Sequence, residues 1–135
     1  MVTFSFDGSF PKLPTESTSF IHDGVTMTEY ENEPFIIGDY NHNQIEFMHL
    51  SHELWFNIRP FPYWTRLFGY SAVSRTTKVF LFGGCCDDNW AMVTRFENDE
   101  WFRSGSLNQG RFNHLTITYG TDVMIIGGKS EDNQP

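Results

Sequence analysis

The segment VFLFGG, Val79 to Gly84, decides the fold. Four apolar residues in succession predict a strand covered on both faces, because a strand with one face in water would alternate apolar and polar residues. The two glycines that follow can adopt positive φ and let neighbouring backbone come close. FIIGD and MIIGG end in the same way at Gly38 and at Gly127 and Gly128, so the sequence predicts three strands that each end at a crowded turn.

The apolar runs belong to an internal repeat. Their first glycines are 45 and 44 residues apart. A second stretch repeats at nearly the same distance, since IEFMHLSHELWF, residues 45–56, aligns without gaps on AMVTRFENDEWF, residues 91–102, and places Trp55 opposite Trp101. Two independent landmarks at one period indicate repeated supersecondary units.

Each unit is predicted to contain four short strands. Phe47, Leu50 and Leu54 have helical spacing and would alone favour a helix. The aligned copy, however, carries the polar cluster END at residues 97–99, a composition that is typical of a turn. We therefore expect strand, turn and strand in both copies, and in the second unit strands at residues 70–73, 79–82, 92–96 and 100–102.

Four short antiparallel strands in every unit of this length are typical of a β-propeller blade. The composition agrees, because 14 Phe, 5 Tyr and 4 Trp favour strands over helices. Trp55 and Trp101 would supply large apolar areas between neighbouring blades. The predicted fold class is all-β, with blades of four antiparallel strands in a partial or incomplete propeller.

The units resemble kelch repeats. In that family an apolar strand ends in Gly-Gly, an aromatic residue and a Trp follow, and an Arg precedes the next unit. The second unit matches this pattern with Gly83, Gly84, Phe96, Trp101 and Arg111. The resemblance covers most of residues 20–128 and implies a propeller that binds proteins.

The other two units follow the kelch pattern less completely. The third has Gly127 and Gly128, after which the given sequence ends. In the first, Asp39 replaces the second glycine and Leu50 holds the aromatic position, so that after Gly38 only Trp55 and Arg66 conform.

The repeat divides the chain into a half blade at residues 1–14, blades at 15–64 and 65–108, and a half blade at 109–135. Propellers commonly close by pairing two such halves, but known propellers have about four to eight blades. Three explanations stay open. The chain is a fragment of a longer propeller, or two chains combine into a six-bladed ring, or the blades form an open stack or are miscounted.

Charge and composition exclude several classes of function. The formal net charge of −8 would repel a phosphate backbone, so we expect no nucleic-acid partner. No run of 18 apolar residues predicts a membrane span, and no signal peptide is visible. The adjacent pair Cys85 and Cys86 would close a strained ring if bridged, which favours a reducing, cytoplasmic location.

No cofactor, metal or catalytic motif is predicted. Adjacent cysteines lack the Cys-x-x-Cys spacing of zinc sites. His49 and His52 with Glu53 are interpreted as solvated turn residues, because residues three apart on a strand point to opposite faces. A glycine pair after a strand also lacks the later Gly and Lys of a phosphate-binding loop.

Candidate binding residues lie in the loops that join second and third strands and in the connections between blades. Such loops vary while the blades hold the frame. Trp90 beside acidic residues is typical of a protein contact anchor, although it would equally suit packing between blades. Arg66 and Arg111 could pair with an acidic ligand, but bracing of neighbouring blades is favoured. The predicted partner-binding residues are Tyr40, His42, Asp87, Asp88, Trp90, Arg66 and Arg111.

These observations predict a noncatalytic protein–protein interaction module. The kelch resemblance suggests partners such as actin or the substrates of ubiquitin-ligase adaptors, and no BTB or F-box region is present to choose between them. Some kelch-like propellers are enzymes, including copper radical oxidases and a sialic acid mutarotase. The copper ligand set of the former has no match here. An enzyme of the mutarotase type, acting on a small sugar in the central channel, is the alternative.

Overall fold

The structure is a computed structural model of the 135-residue chain. It describes residues 25–38, 45–49, 54–59, 61–63, 68–85 and 90–130, with only the backbone described for residues 47–49. The half blade predicted for residues 1–14 lies outside these ranges.

The described residues form strands and no helix. The strands are β1 (Thr26–Tyr30), β2 (Glu33–Ile37), β3 (Ile45–His49), β4 (Leu54–Asn57), β5 (Ser71–Arg75), β6 (Lys78–Phe82), β7 (Met92–Glu97), β8 (Glu100–Ser106), β9 (Arg111–Phe112), β10 (Leu115–Tyr119), β11 (Asp122–Ile126) and β12 (Lys129–Ser130).

The strands build two four-stranded antiparallel meanders and a third, shorter unit. The orders are β1-β2-β3-β4 and β5-β6-β7-β8, followed by the β10-β11 hairpin and the β9-β12 pair. His49 pairs with Leu54 across β3 and β4, so strands are confirmed where a helix was the alternative. The four strands expected in the second unit are confirmed, the fourth running on to Ser106. None of the described sheets closes on itself, so the fold is an incomplete, propeller-like all-β fold.

Two-residue turns set the register of the hairpins. Tyr30 pairs with Glu33, and Glu31 and Asn32 between them have φ of 53° and 65°. Asn98 and Asp99 connect β7 to β8 with φ of 52° and 60°. Two successive positive φ angles match the right-handed twist of the flanking strands, and Asn and Asp tolerate this conformation better than most residues.

The first strands of the three units stand next to one another. β1 packs against β5, and β5 packs against β10. Because each meander continues from its first strand outwards, this places β1, β5 and β10 on the inner side, as in blades around an axis.

The core lies between the first and second sheets. Phe35 and Phe96 are 0% and 1% exposed, and their ring centroids are 5.4 Å apart. Trp101 packs edge-on to Phe61 at 5.0 Å, and its indole N–H donates to the Arg59 carbonyl at 3.3 Å. Trp101 therefore lies in the core between the first two sheets, as expected, with its polar atom satisfied.

The Gly83-Gly84 pair lies where the second and third units meet. A Cβ at Gly83 would collide with the Arg111 carbonyl, and one at Gly84 would collide with the Tyr70 ring. Both glycines have positive φ, 60° and 113°. The expectation of a crowded turn after VFLF is therefore confirmed.

Each hairpin continues past its glycine pair. Phe68 pairs with Cys85 in the register of β5 and β6, and Phe112 pairs with Lys129 in the register of β10 and β11. In the second and third units, the segment that enters the unit is thereby hydrogen-bonded to the segment that leaves its second strand.

Candidate binding site

The best-formed site lies at the end of the units that carries the glycine pairs. The chain enters β5 at Ser71 and leaves β6 at Phe82, directly before Gly83. The glycine pairs and the described connection between the second and third units therefore share one end, which we call the glycine end. Of the residues chosen from the sequence as candidate binding residues, Trp90 and Arg111 are described, and both belong to this end.

A cavity opens at the glycine end between the three inner strands. Its volume is about 460 Å³, and residues 25–27, 68–72 and 113–116 line it. These segments occupy equivalent positions in the three units, because each contains the start of a first strand. Concave sites between repeated elements, with a few convergent polar groups, are typical places for ligands.

Two buried polar side chains of the cavity lining have no hydrogen-bond partner among the described residues. Ser71 is 6% exposed and His114 is 5% exposed. The Ser71 hydroxyl and both imidazole nitrogens of His114 are unsatisfied. An unsatisfied buried polar group costs roughly 1–3 kcal/mol, so such groups usually receive a partner from water or from a ligand.

His114 is electrically neutral near pH 7. Burial lowers the pKa of its imidazole below the ordinary 6.5, and the positive charge of Arg111 lowers it further. The nearby backbone carbonyl of Phe82 raises the His114 pKa and so offsets part of this lowering. It does not form a hydrogen bond of normal geometry with the imidazole. A neutral imidazole offers one donor and one acceptor, and a serine hydroxyl offers both as well.

Trp90 belongs to the junction between the second and third units. Its side chain is half-buried, and its ring meets that of Phe112 edge-on at 5.0 Å. The Arg111 backbone N–H donates to the Trp90 carbonyl at 3.0 Å. A Cβ at Gly110 would lie 2.6 Å from the Trp90 Cβ, so the two segments are in close contact.

Arg111 connects the same junction to the last hairpin. Its Nη1 donates to the Gly127 carbonyl at 2.8 Å, and its Nη2 donates to Gln109 Oε1 at 3.0 Å. Both contacts are made within residues 109–135, so the bracing of neighbouring blades by this side chain stays a prediction. The side chain also remains close enough to His114 to affect its pKa.

The remaining predicted binding residues lie outside the described residues. They are Tyr40, His42, Arg66, Asp87 and Asp88. The structure therefore brings together Trp90 and Arg111 from that set.

Sequence reasoning missed Ser71 and His114. The signal was present in the repeat, because both residues lie where a first strand begins, and first strands line the axis of a propeller. Polar residues at that position of a blade were therefore candidates for a central cavity. The sequence alone did not indicate that both side chains would be left without a hydrogen-bond partner.

Other kinds of site find no support in the described part of the chain. In those residues no three His, Cys, Asp or Glu side chains come close enough together to hold a metal ion. Within the same ranges, no helix has the length and apolar character needed to cross a bilayer.

Comparison with known proteins identifies the fold alone. No protein-family model matches the chain, and no curated protein matches it. Among solved structures, that of YjhT superposes with a TM-score of 0.75 at 15% sequence identity. The match covers 88% of this chain and 42% of YjhT, so the chain spans less than half the length of that neighbour.

Proposed function

We propose that the chain is a noncatalytic protein-binding module built from kelch-type repeats, and that its partner docks on the glycine end. The observation that supports the proposal is the cavity of about 460 Å³ whose lining includes Ser71 and His114, two residues with buried, unsatisfied polar groups. A partner that inserts a polar side chain there would supply the missing hydrogen bonds. A contact that forms hydrogen bonds with two buried, unsatisfied groups at once gains both affinity and specificity.

The chemistry of the cavity favours binding over catalysis. Its lining contains no Asp, Glu, Lys or Cys among the described residues. General acid–base catalysis usually needs two titratable groups whose pKa values are moved apart. Here His114 is the lining group with a lowered pKa, and the lining that it shares with Ser71, Thr26 and Thr116 contains no carboxylate among the described residues.

The polar groups of the cavity lining also indicate which kind of side chain the partner inserts. Because Ser71 and neutral His114 can each donate and accept a hydrogen bond, the best complement is an uncharged group that does the same. An Asn, Gln, Ser or Thr side chain on a loop of the partner fits this description. Partners of the actin or ubiquitin-ligase-substrate kind are part of the proposal through the kelch resemblance. A cytoplasmic location is part of it because of the adjacent Cys85 and Cys86.

An enzyme of the mutarotase type, acting on a small sugar, is the second candidate. The observation that favours it is His114 itself, because a buried neutral imidazole can accept a proton and sugar hydroxyls would satisfy Ser71. The two candidates differ in what must be bound. A free monosaccharide suffices for the enzyme, whereas the binding module needs a protein surface.

Affinity capture with matched serine variants tests the proposal. Ser71→Ala removes one cavity hydroxyl, whereas Ser74→Ala, three residues along the same strand and outside the cavity lining, is the control. We expect Ser71→Ala to weaken retention of captured proteins by up to about tenfold, the equivalent of one hydrogen bond of roughly 1.4 kcal/mol. Ser74→Ala should leave retention unchanged.

A direct measurement separates the two candidates. Titration with free monosaccharides, followed by the His114 imidazole resonances, should show no binding if the cavity serves a protein partner. Equal retention by wild type and Ser71→Ala would contradict the binding module. Saturable monosaccharide binding that Ser71→Ala weakens would favour the enzyme instead.

A further inference from the structure

The β10-β11 hairpin has one apolar face that is open to solvent. Leu115, Ile117 and Tyr119 on β10 are 70%, 47% and 71% exposed. Met124 and Ile126 lie on β11, where they pair with Ile117 and Leu115 of β10, and they are 46% and 47% exposed. Five large apolar side chains on one face of a hairpin form a contiguous patch of the kind that marks an interaction surface.

Equivalent positions in the two preceding units are covered. Phe35 and Ile37 of the first unit correspond to Met124 and Ile126, and they are 0% and 1% exposed. In the second unit the position of Ile126 is taken by Phe82, which is 9% exposed. The cover on Phe35 comes from the next unit, whose Phe96 ring packs against it. The open face therefore has the composition of a surface that a further unit covers.

The opposite end of the same stack carries the complementary face. Side chains along each strand point alternately to the two faces of the sheet. In the third unit, the face that packs on the preceding unit carries Thr116 and Ile125. Thr116 bonds to the Ala72 carbonyl of the second unit at 3.3 Å. Met27 and Ile36 hold these positions in the first unit, where they are paired across β1 and β2. Met27 is 60% exposed, so this face too is open.

We propose that a second copy of this chain covers the open hairpin face, with the Met27 face of each copy packed on the β10-β11 face of the other. Two faces that differ but fit each other give a head-to-tail contact, and two copies close such a contact into a ring that leaves neither face exposed. The size of the related fold agrees. The match covers 42% of YjhT, so two copies of the matched portion would account for most of a chain of that length.

Light scattering after size-exclusion chromatography tests this assembly. The full chain should elute with twice its mass of 15.7 kDa. Ile117→Lys places a charge in the open hairpin face, and Met27→Lys places one in the complementary face. Each should halve the mass, because a buried, unpaired lysine opposes the contact. Thr118→Lys, which lies on an exposed position of the other face of β10, is the matched control and should leave the mass unchanged.

Each outcome decides the proposal. A wild-type monomer would overturn it, as would a dimer that survives either lysine variant. A dimer that Ile117→Lys dissociates and Met27→Lys does not would mean that two hairpins pack on each other, and this also overturns the ring. An open series of larger species would exclude closure. Circular dichroism of the variants shows whether they keep the β-sheet spectrum, and this is expected because all three positions are exposed.

Discussion

Gly83→Ala should destabilise the protein far more than Gly127→Ala, although the two glycines occupy the same position in successive units. Both have positive φ, 60° and 72°, so alanine incurs roughly 1–2 kcal/mol of backbone strain at either site. Gly83 is buried under the next unit, whereas a Cβ at Gly127 would meet nothing within 4 Å.

The difference between the two variants comes from the neighbours of Gly83. A Cβ there would collide with the Arg111 carbonyl and would lie 2.9 Å from His114 Cε1. To relieve the collision the connection must move, although it is held by the bonds from the Gly84 N–H to the Arg111 carbonyl and from the Arg111 N–H to the Trp90 carbonyl. At roughly 0.5–1.5 kcal/mol for each bond, Gly83→Ala should cost about 1–3 kcal/mol more than Gly127→Ala.

Urea unfolding followed by tryptophan fluorescence measures this difference. With a typical slope of roughly 1–3 kcal/mol per molar, the Gly83→Ala midpoint should fall below that of Gly127→Ala by about 1 M. Both substitutions are made in the Ile117→Lys background, so that contacts between copies do not contribute. Equal midpoints would refute the reasoning, because they would mean that the junction yields to a methyl group without losing its hydrogen bonds.

Three further predictions concern the cavity, the junction and the core. Because the pKa of His114 is lowered in the folded protein, the unfolded chain binds the proton more readily, and stability should fall as the pH drops below about 6.5. His114→Gln should flatten that part of the pH profile of the urea midpoint, and a profile that does not change would contradict the assignment. Arg111→Gln removes the donor to the Gly127 carbonyl, and amide hydrogen exchange in the β10-β11 hairpin should accelerate while exchange in β1 and β2 stays the same. Phe96→Ala should lower the free energy of unfolding by roughly 3–5 kcal/mol, since this ring is 1% exposed and contacts Tyr30, Phe35 and Trp101; a loss below 1 kcal/mol would place Phe96 outside the core.

The repeat made the blades predictable from sequence. The run VFLF ending at Gly83 and the alignment that places Trp55 opposite Trp101 were enough to predict the strands of the second unit. The alignment also resolved residues 45–56, where Phe47, Leu50 and Leu54 alone favoured a helix, because Asn98 and Asp99 of END form the β7-β8 turn in the second copy.

The binding site was less predictable, for a physical reason. A satisfied and an unsatisfied buried group have the same sequence signature, and the difference depends on neighbours that are distant along the chain. Ser71 and His114 lie in different units and meet at one cavity only when the inner strands are placed side by side. Trp90 was visible as a candidate, but its packing on Phe112 depends on the path of the connection between units.

That connection also determines how the units come apart. Residues 107–113 are tied to the second unit by hydrogen bonds from Leu107 to Ala91, from Arg111 to Trp90, from Gly84 to Arg111 and from Asn113 to Gly69. The same segment supplies β9, which pairs with β12 of the third unit. Melting of either unit breaks these hydrogen bonds to the other, so the second and third units should lose their structure together rather than blade by blade.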